Sequence, residues 1–177
     1  MTDRRFALGR LGKALAGLAL PRTPKADVGP PPFPRPPGAL TEAAFLDACT
    51  RCDACMDACP HGSIGRIPSG RLEGTPAMLP NEVACHLCPD TPCITACEPG
   101  ALVATEPHRI LLGFAEIQEA SCFTFQGPEC GACKPACPTG AVVMVGLHPT
   151  IDDAACTGCG LCREACPVWD KAILIVH

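Results

Sequence analysis

The chemistry open to this 177-residue chain lies in its 16 cysteines. They fall into four runs of four with none left over: Cys49, Cys52, Cys55, Cys59; Cys85, Cys88, Cys93, Cys97; Cys122, Cys130, Cys133, Cys137; and Cys156, Cys159, Cys162, Cys166. Thiolates this close in sequence are soft donors, able to wrap a short loop around one inorganic centre. Each run closes on a related tail: Cys59-Pro60-His61-Gly62-Ser63-Ile64, Cys97-Glu98-Pro99-Gly100-Ala101-Leu102, Cys137-Pro138-Thr139-Gly140-Ala141-Val142, and Cys166-Pro167-Val168 leading to Ala172-Ile173. Ligands and framework therefore repeat together.

Runs one and four have the spacing C-x2-C-x2-C-x3-C-P, the ligand pattern of bacterial 4Fe-4S ferredoxins. In that pattern three thiolates hold one cubane, while the fourth, set on the following helical turn, reaches the neighbouring cluster of a pair. The proline after it removes an N–H that would need a partner there and starts the chain turning away. Four such runs furnish ligands for up to four clusters. Zinc suits this pattern poorly, because zinc sites use separated pairs of ligands around one tetrahedral ion. A disulfide scaffold would need an oxidising compartment and would not need so regular a spacing. Run two has four residues, Pro89 to Pro92, between its second and third cysteines. Run three departs further: seven residues, Phe123 to Glu129, stand where two are expected, so it is the least secure of the four and a degenerate, structural run stays open there. The gaps between runs are 25, 24 and 18 residues, each long enough for a ferredoxin half, so length does not choose which runs share a pair.

The histidines nearest these runs, His61 and His86, read as solvent-facing neighbours, since sixteen thiols leave no ligand position for them. Trp169 is expected to pack beside a cluster and limit its access to water. With one Trp, six Phe and no Tyr, a large aromatic core is ruled out, and bound inorganic centres must help to hold the fold. No nucleotide fingerprint or triad signature accompanies the cysteines, so the chain is expected to carry electrons or assist a partner, without a catalytic site of its own.

The elements that position the ligands are sparse. Thr41 to Cys49 reads as a helix with Thr41 as N-cap, Val142 to Val145 and Ile173 to Val176 read as strands, and each fourth cysteine falls on one or two helical turns. The expected class is α+β, with tandem ferredoxin-like modules and little regular structure over residues 41–177. Residues 21–40 hold eight prolines and read as an extended, semi-rigid linker. Residues 1–20 read as a basic amphipathic segment, with Leu8, Leu11, Leu15 and Leu18 in one stripe beside Arg10 and Lys13, suited to a partner groove or to weak contact with an anionic membrane surface. Residues 1–35 hold seven basic and two acidic side chains, whereas the remainder holds seven basic and sixteen acidic. Thiolate-ligated clusters would make the body more negative still, which excludes nucleic acid as its partner. No apolar run reaches the length of a membrane span. The pair Arg4-Arg5 suggests a twin-arginine export signal, but Phe6 follows it directly, Arg10 and Lys13 interrupt the apolar stretch, and no small-residue cleavage site follows.

Cys49-Thr50-Arg51-Cys52-Asp53-Ala54-Cys55-Met56-Asp57-Ala58-Cys59, the extended third run, the closing Cys156-Thr157-Gly158-Cys159-Gly160-Leu161-Cys162 and the leading Arg4-Arg5 with Gly9-Arg10 together resemble the NapF family, ferredoxin-type accessory proteins of periplasmic nitrate reductase systems. The resemblance implies a cytoplasmic protein that joins the molybdenum-containing nitrate reductase precursor as redox or client partner, supplying electrons or helping to install its iron-sulfur cluster. The alternative is an exported or membrane-associated ferredoxin subunit that relays electrons from quinol or another donor to a respiratory oxidoreductase. The layout is also similar to the four-cluster subunits of molybdenum oxidoreductases, which pair outer runs with outer and inner with inner. That likeness implies Cys49, Cys52, Cys55 with Cys166; Cys156, Cys159, Cys162 with Cys59; Cys85, Cys88, Cys93 with Cys137; and Cys122, Cys130, Cys133 with Cys97.

Overall fold

The structure, a computed structural model, describes residues 31–177. The basic segment 1–20 and the first part of the proline-rich linker lie outside the described residues. In chain order the elements are α1 (Glu42–Ala48), α2 (Ala54–Asp57), β1 (Ile64–Arg66), β2 (Pro76–Met78), α3 (Pro92–Thr95), β3 (Phe114–Ile117), α4 (Phe123–Gln126), α5 (Cys133–Ala136), β4 (Val142–Val145), β5 (His148–Ile151), α6 (Leu161–Glu164) and β6 (Ile173–Val176), with a 3-10 turn at Pro107–Arg109. This is a small α+β fold. Apart from α1 every helix is a single turn, and no strand exceeds four residues, lengths that cannot hold themselves together in water.

Two modules repeat one plan: an opening strand, a cysteine run, a hairpin, a second run and a closing strand. In the later module β3 pairs antiparallel with β6, Phe114 opposite Val176 and Ile117 opposite Ile173, and β4–β5 is the hairpin between. The earlier module has the hairpin β1–β2, with Ile64 opposite Met78. Its opening and closing strands shrink to one bridge, Ala39 opposite Leu102, flanked by Leu40 N–H donating to Ala101 O and Val103 N–H to Gly38 O. Alternation explains which side chains the strands bury: Ile173 and Ile175 of β6 face in, and Leu174 and Val176 face out. Each module has its own apolar cluster, around Phe45, Met78 and Ile94 in the first and around Val142, Ile173 and Ile175 in the second, and cysteines belong to both.

The expected helix is α1 and begins after Thr41, although the Thr41 side chain makes no capping bond. The expected strands appear as β4 and β6 with the bounds given above. The far end of the linker differs from expectation, because residues 35–37 are buried on the first module. Arg35 explains it. Its guanidinium donates to both Glu42 carboxylate oxygens (2.9 and 2.6 Å), to Thr75 Oγ1 (2.8 Å) and to Pro76 O (2.8 Å), and lies 4.6 Å from the centre of the Phe45 ring. Met78 N–H adds a bond to Pro34 O and Pro36 is fully buried, and a proline-rich backbone with φ already fixed has little entropy to lose when it packs this way.

Candidate metal centres

In every run the third and fourth cysteines are four residues apart: Cys55 and Cys59, Cys93 and Cys97, Cys133 and Cys137, Cys162 and Cys166. On a helical turn that spacing puts both on one face, about 6 Å apart along the axis. One helix can therefore serve two sites. Each short helix holds the third cysteine and ends one or two residues before the fourth, and the helices lie in pairs, α2 against α3 and α5 against α6. The result is an exchange of fourth cysteines between neighbouring runs.

Four thiol sets follow. The first gathers Cys49, Cys52, Cys55 and, from run two, Cys97 around one cavity. The second gathers Cys85, Cys88, Cys93 and, from run one, Cys59 around another. The third gathers Cys122, Cys130, Cys133 and, from run four, Cys166 around a third. In the fourth, Cys137 of run three stands within electrostatic reach of Cys156, Cys159 and Cys162. The nested arrangement implied by the molybdenum oxidoreductase subunits is thus corrected: run one exchanges with run two and run three with run four. The hairpins β1–β2 and β4–β5 are the reason, since each folds the chain back so that the next run lands beside the previous one. Run three is not a fragment. Its extra residues form α4 and a turn, which carry Cys122 back to the cavity that Cys130 and Cys133 line.

The ligand loops curl because two residues in each of three runs adopt left-handed backbone. Arg51 and Asp53 do so in run one, Leu87 and Thr91 in run two, and Gly158 and Gly160 in run four. Non-glycine residues in this region store of order 1–3 kcal/mol each and persist only where the surroundings impose the shape. Arg51 is tied to Glu73 O at 3.1 Å, and Asp53 pairs with Arg66.

The repeated tails also have a function. Gly62, Gly100 and Gly140 take positive φ, closing a turn onto the carbonyl of the preceding cysteine. The chain that follows then points donors at sulfur: Ser63 N–H to Cys59 Sγ and Leu102 N–H to Cys97 Sγ, both at 3.4 Å. Thr139 Oγ1 lies 3.5 Å from Cys137 Sγ and Thr124 Oγ1 3.3 Å from Cys122 Sγ. In run four Lys171 takes the left-handed place, and its ammonium donates to Cys166 O and Glu164 O.

Electrostatics separate inner from outer thiols. Burial pushes Cys55 up to about 11, helped by Cys49 and Cys97. Cys85 likewise rises to about 11, through burial and then Cys159 and other thiols. Cys162 rises to about 12, through burial and then Cys159, Cys137 and Cys156. Cys59 and Cys137 end below the usual thiol range, because the donors just named outweigh their burial. Cys52 is exposed and is lowered chiefly by the Ala54 N–H. Neighbouring thiols that raise one another need cationic charge between them before they can ionise together.

Among the described residues no three His, Cys, Asp or Glu side chains converge closely enough to bind a single metal ion. The thiols surround spaces instead of meeting at a point, as a multi-iron core requires and a zinc ion does not. A buried polar atom fits the same picture. Thr157, between Cys156 and Cys159, is only 5% exposed and its hydroxyl has no nitrogen or oxygen partner; it lies against Cys159, where its hydrogen bond works to lower a thiol that burial raises.

His61 and His86 stack 3.5 Å apart at the mouth of the second cavity and supply no ligand to its thiol set. Trp169 departs from expectation: it is 95% exposed, because the turn after Cys166 is held from below by Lys171 and carries the indole outward. No helix among the described residues is long and apolar enough to cross a membrane.

Comparison with known proteins agrees with this geometry. Residues 128–172 match the 4Fe-4S dicluster domain, which takes in Cys130 through Cys166, and residues 45–65 match the 4Fe-4S binding domain. The chain is 36% identical over 144 residues to the ferredoxin-type protein NapG of Escherichia coli, covering 71% of this chain and 62% of that protein. It is 34% identical over 178 residues to the methylamine utilization ferredoxin-type protein MauM of Methylorubrum extorquens, covering 92% and 81%. To the ferredoxin-type protein NapF of Escherichia coli it is 32% identical over 130 residues, covering 71% and 74%. The similarity is therefore higher to NapG and MauM than to NapF, and the chain spans less than two thirds of the NapG it matches.

Proposed function

We propose that this chain, which belongs to the ferredoxin-type 4Fe-4S protein family, holds one 4Fe-4S cluster in each of its four thiol sets and carries single electrons along them. When bound, such clusters supply one-electron redox chemistry. The chain's own residues bind them, exclude water and set the hydrogen bonds to sulfur that tune potential.

The observation that carries this reading is the exchange of fourth cysteines, which ties each pair of sites into one unit. A second contact joins the units: Cys85 N–H of the second set donates to Cys159 O of the fourth at 2.7 Å. The order through the molecule is therefore first, second, fourth, third. Each end set has one exposed cysteine, Cys52 in the first and Cys130 in the third, whereas every cysteine of the second and fourth sets is buried or half-buried. Electrons enter and leave at the two ends.

Anaerobic purification with iron and acid-labile sulfide analysis tests the reading. The expected content is about 16 of each per chain, with reversible bleaching by dithionite. A colourless, folded protein would refute it.

The partner is the redox or client protein of a respiratory or methylotrophic oxidoreductase. The Nap names among the relatives favour a nitrate reductase as that partner, with its precursor in the cytoplasm as the site of the encounter we propose, whereas the Mau names favour a partner in methylamine utilization. Residues 1–35, basic where the body is acidic, are suited to holding an acidic client. Deleting residues 1–30, which spares buried Arg35, is expected to leave the visible absorption intact and weaken association with the precursor. Unchanged association would remove the client role.

A further inference from the structure

One side chain of the first module bridges the seam where the two modules meet. Asn81 lies four residues before Cys85, on the first module, and its carboxamide reaches the outer edge of β6 in the second. Asn81 Nδ2 donates to Ile175 O at 2.8 Å, and Ile175 N–H donates back to Asn81 Oδ1 at 2.8 Å. Ile175 stands opposite Ala115 in the β3–β6 ladder, with its own N–H and C=O turned away from β3. The carboxamide therefore occupies the place of a third strand for one residue, satisfying an edge that would otherwise stay open.

Other contacts reinforce the same point. Arg163, next to Cys162 on α6, donates from Nε to Asn81 O at 2.9 Å and from Nη1 to Ile173 O, binding the clamp to the helix that carries Cys162. Gly160 packs so closely on Pro80 that a Cβ there would stand 2.4 Å from Pro80 O. Between these contacts runs the Cys85 N–H···O=C Cys159 bond, whose two residues belong to different thiol sets in different modules. That bond joins a cysteine of one module's thiol sets directly to a cysteine of the other's.

We infer that Asn81 is the positioning residue of the relay: its carboxamide, locked to β6 and braced by Arg163, holds the second and fourth thiol sets in the register at which electrons pass between modules. The inference rests on the proposed loading of the four sets. Each module keeps its own ligand exchange without Asn81, so the residue aligns two complete units and builds neither.

The test uses the full-length, anaerobically purified protein and two variants that reach the seam by different routes, Asn81→Leu and Gly160→Ala. Wild-type iron and sulfide content comes first: an iron-free wild type would fail the loading, and would do so before any variant is compared. Amide exchange is then followed at Cys85 and Ile175, together with the spin–spin splitting between modules in the EPR spectrum of the fully reduced protein. Asn81→Leu is expected to retain full iron, to exchange both amides roughly tenfold to thirtyfold faster, and to lose the inter-module splitting while keeping the splitting within each module. Gly160→Ala is expected to do the same to the Cys85 amide. Unchanged splitting despite faster exchange would overturn the inference, as would unchanged exchange. Loss of iron from both modules in both variants would also overturn it, because Asn81 would then be needed for the fold itself.

Discussion

The two modules achieve one loop shape with different residues. In the first, the left-handed positions around the thiols are Arg51, Asp53, Leu87 and Thr91; in run four of the second they are Gly158 and Gly160. Shape alone does not demand glycine, since side chains with enough support adopt it. Close approach does: a Cβ at Gly158 would stand 2.3 Å from Gly113 O, and one at Gly160 2.4 Å from Pro80 O. Gly158 makes room for the chain entering β3 within the second module, and Gly160 makes room for Pro80 of the first. The strand pairs differ too, with a four-residue ladder in the second module and a single bridge in the first. What replaces the missing ladder is the buried Arg35 anchor and the larger apolar cluster around Phe45.

Four experiments break or sharpen that comparison. Stripping the iron with a chelator should have the largest effect, with both modules losing their circular dichroism together, because elements of one turn or four residues cannot persist without the centres they surround. If the first module alone survived, its apolar cluster would be sufficient.

Cys97→Ala comes next and bears on pairing. It should cost about one cluster of the four, as iron per chain, with the signals of the second module unchanged. Loss from the third set would restore the nested arrangement.

Arg35→Met should destabilise the first module by roughly 3 kcal/mol in denaturant titrations, because Glu42 is left buried without its partner. The second module should keep its midpoint.

The smallest effect is expected from Thr157→Val. Removing a hydroxyl donor from sulfur lowers the potential of the fourth site alone, and a redox titration would resolve it from the others. An unchanged potential would mean that the hydroxyl makes no bond to the bound centre.

The thiol chemistry was legible because spacing is a mechanical statement: C-x2-C-x2-C-x3-C requires a curled loop and then a helical turn. β4 and β6 were legible from uninterrupted apolar runs. β1, β2 and β5 were not, since Gly65, Pro76 and Pro149 break the apolar pattern inside strands of three or four residues. Pairing was illegible because the three gaps have similar lengths; it is the hairpins within two of them that decide. Run three's insertion looked like damage because a helical turn such as Phe123–Gln126 carries no periodic signal. The proline count suggested a spacer as far as residue 40, and only the tertiary partners of Arg35 show why its last part is packed. Trp169 was misplaced because bulk beside a ligand argues for burial only if the turn points inward. Asn81 left no signal, as its role lies in a contact 94 residues away.

The exchange of fourth cysteines between consecutive runs is most directly tested by an iron-edge anomalous difference map from crystals grown without oxygen. It should show four iron centres in the order first, second, fourth, third, with Cys97 on the first and Cys59 on the second. Density joining Cys166 to the centre held by Cys49, Cys52 and Cys55 would contradict the account.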